Sequence, residues 1–175
     1  MEALLISTGV VALAEIGDKT QLLAFILAAR FKKPLSIILG ILCATVVNHG
    51  LAGALGAWIT TTLSGDTLRW VLGASFIGMA IWTLIPDKIE EEETQVAKHL
   101  GVFGATLITF FLAEMGDKTQ IATVAMAAKF PDPILVVIGT TLGMLIADVP
   151  AVFVGDRFAA KIPMKLVHSI AAGIF

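Results

Sequence analysis

Apolar residues fill this chain in long blocks, interrupted at a few polar or proline-bearing points. The blocks cover roughly residues 3–29, 34–62, 68–86, 101–128 and 133–155, and a sixth begins near 164. The interruptions fall at Arg30-Phe31-Lys32-Lys33-Pro34, at Ser64-Gly65-Asp66, from Pro86 to Lys98, from Lys129 to Pro133 and from Asp156 to Pro163. Proline and glycine at such points stop a helix, and basic residues suit its end. About 20 mostly apolar residues cross a bilayer as a helix, so each complete block reads as one membrane span. Trp58, Trp70 and Trp82 lie near predicted span ends, where interfacial aromatics belong. The expected fold class is all-α: a polytopic membrane protein.

Composition agrees. The 175 residues are 57% hydrophobic, with a mean hydropathy of +0.92, whereas a soluble domain is nearer ~45–50% apolar. A net charge of −2 argues against a nucleic-acid partner. Cys43 is the only cysteine, so no disulfide framework or thiolate cluster can form. Met1-Glu2-Ala3-Leu4 has no basic n-region or cleavage site, and reads as the start of a retained helix rather than a signal peptide.

A shift of 99 residues superimposes one half of the chain on the other. Leu13-Ala14-Glu15-Ile16-Gly17-Asp18-Lys19-Thr20-Gln21 falls on Leu112-Ala113-Glu114-Met115-Gly116-Asp117-Lys118-Thr119-Gln120, with eight of nine positions identical. Ala28, Ala29, Phe31, Pro34, Gly40 and Gly56 meet Ala127, Ala128, Phe130, Pro133, Gly139 and Gly155. The reading is a duplicated unit of three helices: 1–86, then an acidic cytoplasmic linker at 87–100, then 101–175. Three is odd, so the second unit enters the membrane from the opposite side and the repeats are inverted. Loops 1–2, 3–4 and 5–6 then share one side and carry Arg30, Lys32, Lys33, Lys88, Lys98, Arg157, Lys161 and Lys165, against Arg69 and Lys129 on the other. That bias places the first set in the cytoplasm and both termini outside it. Helix 3 runs to about Pro86, so its partner is expected to reach residue 185; the chain stops at Phe175. Helix 6 is either short or cut off, and the repeat favours a truncated helix 6.

Each motif sets a glutamate and an aspartate at i and i+3, one face of a continuous helix. A carboxylate at membrane depth costs several kcal/mol unless paired or bound to a cation. Glu15, Asp18, Glu114 and Asp117 are therefore candidate metal ligands, with Gln21, Gln120, Thr20 and Thr119 offering neutral oxygens for a hard cation. Gly17 and Gly116 would let another helix approach or let their own helix unwind. Four acids against Lys19 and Lys118 leave −2, which one divalent cation balances unless a lysine snorkels away. The bland alternative is an internal Asp–Lys pair in each motif that only packs helices.

Further polar residues interrupt the apolar blocks. Asn48 and His49 lie in the second, and Asp148 in the fifth at the place matching His49. Asp148 is a candidate for the metal site or for proton transfer, and Asn48 for an oxygen ligand. His49 divides evenly between helix packing and function. Met115 reads as packing, as does Gly139-x-x-x-Gly143. Glu90 to Glu93 reads as a solvated linker, with a cation-gathering role as the lesser alternative. No phosphate loop, zinc-protease helix or Ser/His/Asp pattern is present, so neither direct ATP use nor enzyme chemistry is expected.

The paired Glu-x-Gly-Asp-Lys-Thr motifs resemble the signature of the Gdt-type cation transporters, a family with eukaryotic Golgi members and bacterial manganese exporters, similar in turn to the cation/calcium exchangers. The resemblance covers the whole chain and departs only at the missing end of helix 6. It implies transport of Mn²⁺ or Ca²⁺ in exchange for H⁺ or Na⁺, and in a bacterium Mn²⁺ export across the inner membrane. By motif match, Glu15, Asp18, Glu114 and Asp117 are the cation-binding acids. No cofactor is expected besides the transported metal ion; the expected partners are that ion, the coupling ion and the lipid bilayer, with a homo-oligomer as an open option. The competing expectations are a passive divalent-cation channel and an exporter of a small organic cation.

Overall fold

The computed structural model describes residues 1–82 and 100–158, and within them every regular element is an α-helix. The helices are α1 (Glu2–Glu15), α2 (Lys19–Phe31), α3 (Pro34–Thr62), α4 (Gly65–Trp82), α5 (Gly101–Glu114), α6 (Lys118–Lys129) and α7 (Pro133–Phe158). The expected end of span 3 near Pro86, the linker with Glu90 to Glu93, the loop beyond Phe158 and the sixth span with its deficit lie outside the described residues, as do Lys88, Lys98, Lys161 and Lys165.

Two expected spans are not single helices. Blocks 3–29 and 101–128 each break at the motif, giving half-helices of 14 and 13 residues in the first and 14 and 12 in the second. At 1.5 Å per residue each half is about 20 Å long, too short to cross a hydrocarbon core of about 30 Å alone. Among the described residues, only Pro34–Thr62 and Pro133–Arg157 are both long and apolar enough to cross unaided. Each starts on a proline, whose missing N–H costs nothing in the first turn. Asp132 Oδ1 also caps α7, accepting from Ile134 N at 3.1 Å and Leu135 N at 3.2 Å.

The duplicated units pack reciprocally. Half-helices α1 and α2 lie against α7, whereas α5 and α6 lie against α3. Glycines set these contacts at matching positions. Gly40 of α3 faces Thr106 and the Phe103 carbonyl of α5, and Gly139 of α7 faces Ser7 and the Leu4 carbonyl of α1. Gly56 faces the Val124 carbonyl and Ala127 of α6, and Gly155 faces the Phe25 carbonyl and Ala28 of α2. Every one of these partners is 99 residues from its counterpart. Gly139 and Gly143 both press α7 onto α1 backbone, as expected of a small-xxx-small seam.

The surface is unusually apolar and the interior unusually polar for a soluble protein, around a core that includes Leu23, Ile37, Ile41, Phe110 and Met144. Leu5, Leu13, Val47, Leu51, Ile77, Ile134, Ile146 and Phe153 are exposed, while Ser7, Glu15, Thr45, His49, Thr106, Glu114, Thr140 and Asp148 are buried. Large apolar side chains facing outward, with polar ones drawn inside among an apolar core, suit a lipid solvent. Trp58 and Trp70 are both exposed, as interfacial anchors must be.

Candidate functional site

The site is made by the two helix breaks. Gly17 and Gly116 adopt φ of +82° and +80°, a left-handed conformation open to glycine without strain. A Cβ at either would meet nothing within 4 Å, so these glycines serve unwinding and not the close approach of another helix. Each break is held by the same bond: Gly17 N–H donates to Gln21 Oε1 at 2.9 Å, and Gly116 N–H to Gln120 Oε1 at 2.8 Å. Asp18 and Asp117 then sit at the N-caps of α2 and α6, in extended backbone. The i, i+3 helix face expected for each Glu–Asp pair is thus replaced by a helix end followed by a helix start. The sequence contains a signal for this: Asp-Lys-Thr-Gln places aspartate at an N-cap and glutamine three residues on, the spacing of a capping box.

The four motif acids are buried: Glu15 and Glu114 end α1 and α5, and Asp18 and Asp117 begin the next half-helix. The hydrogen bonds of the glutamates repeat between units, whereas Asp117 Oδ2 alone of the two motif aspartates accepts at its helix start, from Thr119 N at 3.4 Å and Thr119 Oγ1 at 3.3 Å. Thr20 Oγ1 donates to Glu15 Oε2 at 2.6 Å, and Thr119 Oγ1 to Glu114 Oε2 at 3.2 Å. The second oxygen of each glutamate is buried with no hydrogen-bond partner among the described residues. One carboxylate oxygen from each of Glu15, Glu114 and Asp117 lies within 4.8 Å of the other two. Three oxygens this close, drawn from both motifs, can ligate one cation. The positive ends of α2 and α6 at Asp18 and Asp117 stabilise part of the accumulated negative charge.

The motif lysines cross between units instead of pairing within their own. Lys118 Nζ contacts Asp18 Oδ1 at 2.9 Å, and Lys19 Nζ contacts Asp117 Oδ1 at 3.6 Å. Lys118 is buried, so it does not snorkel away, and nothing in local spacing predicts the crossing. Gln21 and Gln120 are half-buried, and their oxygens are engaged by the glycine N–H groups; Gln21 Nε2 also donates to the Ala147 carbonyl at 3.0 Å. Asn48 Nδ2 donates to the Phe111 carbonyl at 3.0 Å, tying α3 to α5 one turn before Glu114. Asp148 is fully buried beside Ala147 with neither oxygen hydrogen-bonded among the described residues. It lies within electrostatic range of Glu15, Asp18 and Glu114 but outside the group of three close oxygens. His49, at the matching place, is fully buried with neither ring nitrogen hydrogen-bonded among the described residues.

Duplicated helical units joined at paired helix breaks, with buried acids in the breaks and apolar surface outside, define a secondary-transporter class of membrane protein. The profile of the family described as "Divalent cation/proton antiporter GDT1" matches residues 3–91 and 102–175, and the chain belongs to that family. A Vibrio cholerae protein described as "Putative manganese exporter" is 51% identical over 176 residues, covering 100% of this chain and 87% of that protein. A rice (Oryza sativa subsp. indica) GDT1-like protein is 30% identical over 200 residues, covering 99% of this chain and 71% of its own. A Synechocystis GDT1-like protein is 28% identical over 183 residues, covering 94% and 88%. No solved structure matches the chain. The family is one of transporters, not of enzymes, and the expectation of a Gdt-type cation transporter is met.

Proposed function

We propose that this protein exports a divalent cation, Mn²⁺ foremost, across the cell's inner membrane in exchange for protons, binding it between Glu15, Glu114 and Asp117. The observation carrying this is the convergence within 4.8 Å of three buried carboxylate oxygens from two helix breaks. Carboxylate oxygens suit Mn²⁺ and Ca²⁺, and the manganese exporter named in Vibrio favours the first. Mg²⁺ is disfavoured because it gives up its water reluctantly. The four motif acids and two motif lysines leave −2, which a divalent ion neutralises, with Asp148 a fifth buried acid beside them. Asp18 completes the charge set from its pair with Lys118; Gln21, Gln120 and Asn48 position the breaks and α5 by the bonds they already make. Asp148, close but separate, is a further acid that the ion or a proton can reach.

Protons and metal compete for the same oxygens, because a carboxylate binds metal only when deprotonated. A site open to the cytoplasm takes the metal and releases protons; opened outward, it takes protons and releases the metal. The reciprocal packing of the units supports inverted repeats, and Arg30, Lys32 and Lys33 beside the first span assign that loop to the cytoplasm and the N-terminus to the outside. The test is Mn²⁺ flux in proteoliposomes under an imposed pH gradient, a sodium gradient, or neither. Mn²⁺ moving against its own gradient when only the pH gradient is present supports the proposal. Flux that only ever follows the Mn²⁺ gradient makes the protein a passive channel, and flux driven by sodium alone replaces the coupling ion.

A further inference from the structure

The two motifs differ at only one position in sequence, Ile16 against Met115, yet are unequal in geometry. Lys118 holds Asp18 at 2.9 Å, with their side chains 7% and 3% exposed. Lys19 stands 3.6 Å from Asp117 and is 17% exposed. The first distance is that of a charge-assisted hydrogen bond and the second is beyond hydrogen-bond range. The aspartate that joins the two glutamates is Asp117, whose lysine is the looser one; Asp18, tightly clamped, is not among the three close acids. A carboxylate already hydrogen-bonded to an ammonium in a dry interior has less to offer a second cation. An aspartate relieved of that contact is the better ligand.

We propose that Lys19 and Lys118 are positioning residues that select which motif aspartate is presented to the cation, and that they exchange this task when the transporter turns over. In the arrangement seen here, the ion meets Glu15, Glu114 and Asp117 while Lys118 keeps Asp18 aside. In the reciprocal arrangement, Lys19 closes on Asp117, Lys118 slackens, and the ion meets Glu15, Glu114 and Asp18. The two arrangements are close in energy because each lysine reaches the other unit's aspartate, and each break is held by the same glycine-to-glutamine bond. The glutamates stay with the ion throughout, and the net charge of the site is the same in both arrangements. This inference rests on the cation-transport reading above and adds to it a division of labour between the motifs.

The test uses the full chain in proteoliposomes, with Mn²⁺ as the probe and KM measured separately at the two membrane faces. Lys118→Gln removes the tight pair of the present arrangement and favours the reciprocal one; Lys19→Gln does the opposite. The ratio of the two KM values is expected to move roughly tenfold in one direction for Lys118→Gln and in the other for Lys19→Gln, since a hydrogen bond to a charged group supplies that much bias. Lys→Arg at either position keeps the charge, restores flux, and moves the ratio opposite to the glutamine variant, because guanidinium clamps carboxylate more firmly. Should a glutamine variant fail to insert, the two arginine variants must still displace the ratio in opposite directions. Equal displacement by both variants of a pair, or an unmoved ratio with a uniform loss of flux, overturns the proposal. A wild-type protein that moves no divalent cation would instead overturn the transport reading itself.

Discussion

Gly56→Ala is a one-carbon change that tests how the interlocked packing supports the site. Its Cβ would lie 2.8 Å from Ala127 Cβ and 3.1 Å from Ala128 N, and against the Val124 carbonyl oxygen. Carbon–carbon contact settles at about 3.5–4.0 Å, and the obstructing atoms are backbone or Cβ, with no rotamer to escape into. Helices α3 and α6 must therefore part by about 1 Å. Gly50 of the same helix is the internal control, because a Cβ there meets nothing within 4 Å. Both substitutions gain the same helix propensity, so the difference between them isolates the clash. Overpacking of this kind costs about 1–3 kcal/mol. The assay is unfolding in mixed micelles followed by tryptophan fluorescence, with Gly56→Ala expected to be less stable than Gly50→Ala by that amount. Helix α6 begins immediately after Asp117, so the displacement also spreads the close carboxylates, and Mn²⁺ affinity should fall in Gly56→Ala only. Gly155→Ala, facing Ala28 Cβ at 3.1 Å and the Phe25 carbonyl, should reproduce the effect from the other unit. Equal stability and affinity for Gly56→Ala and Gly50→Ala would refute the claim that this contact sets the geometry of the site.

Three other outcomes are expected. Asp18→Asn or Asp117→Asn should abolish transport while the protein still inserts, because the amide keeps the shape and removes the charge that balances the cation; wild-type flux in either purified variant would count decisively against the site. Mn²⁺ affinity should fall as pH falls, and binding in unbuffered detergent should release protons, since metal and protons take the same oxygens; calorimetry in buffers of different ionisation enthalpy reads both. In a Cys43→Ala background, Lys33→Cys should react with an impermeant thiol reagent only from the cytoplasmic side and Ser64→Cys only from outside, following the basic-residue bias; the opposite pattern inverts the topology.

Much of this protein was legible in its sequence because the bilayer imposes a length rule and duplication repeats a register. The all-α class followed from the apolar blocks, and α3 and α7 occupy their blocks almost to the residue. The motif acids stood out because a carboxylate in lipid is too costly to be incidental. The expected continuous helix through each motif failed, because apolar content is blind to φ. A glycine at +82° or +80° followed by an aspartate at the N-cap position breaks the helix without changing hydropathy. Spacing along the chain also had nothing to say about which lysine meets which aspartate. Lys19 and Asp117, or Lys118 and Asp18, are within one residue of a full repeat apart, and they meet only because each unit's broken helix packs against the long helix of the other. Local chemistry sets what an acid or a lysine can do, and the packing of the two units decides which acid each lysine reaches.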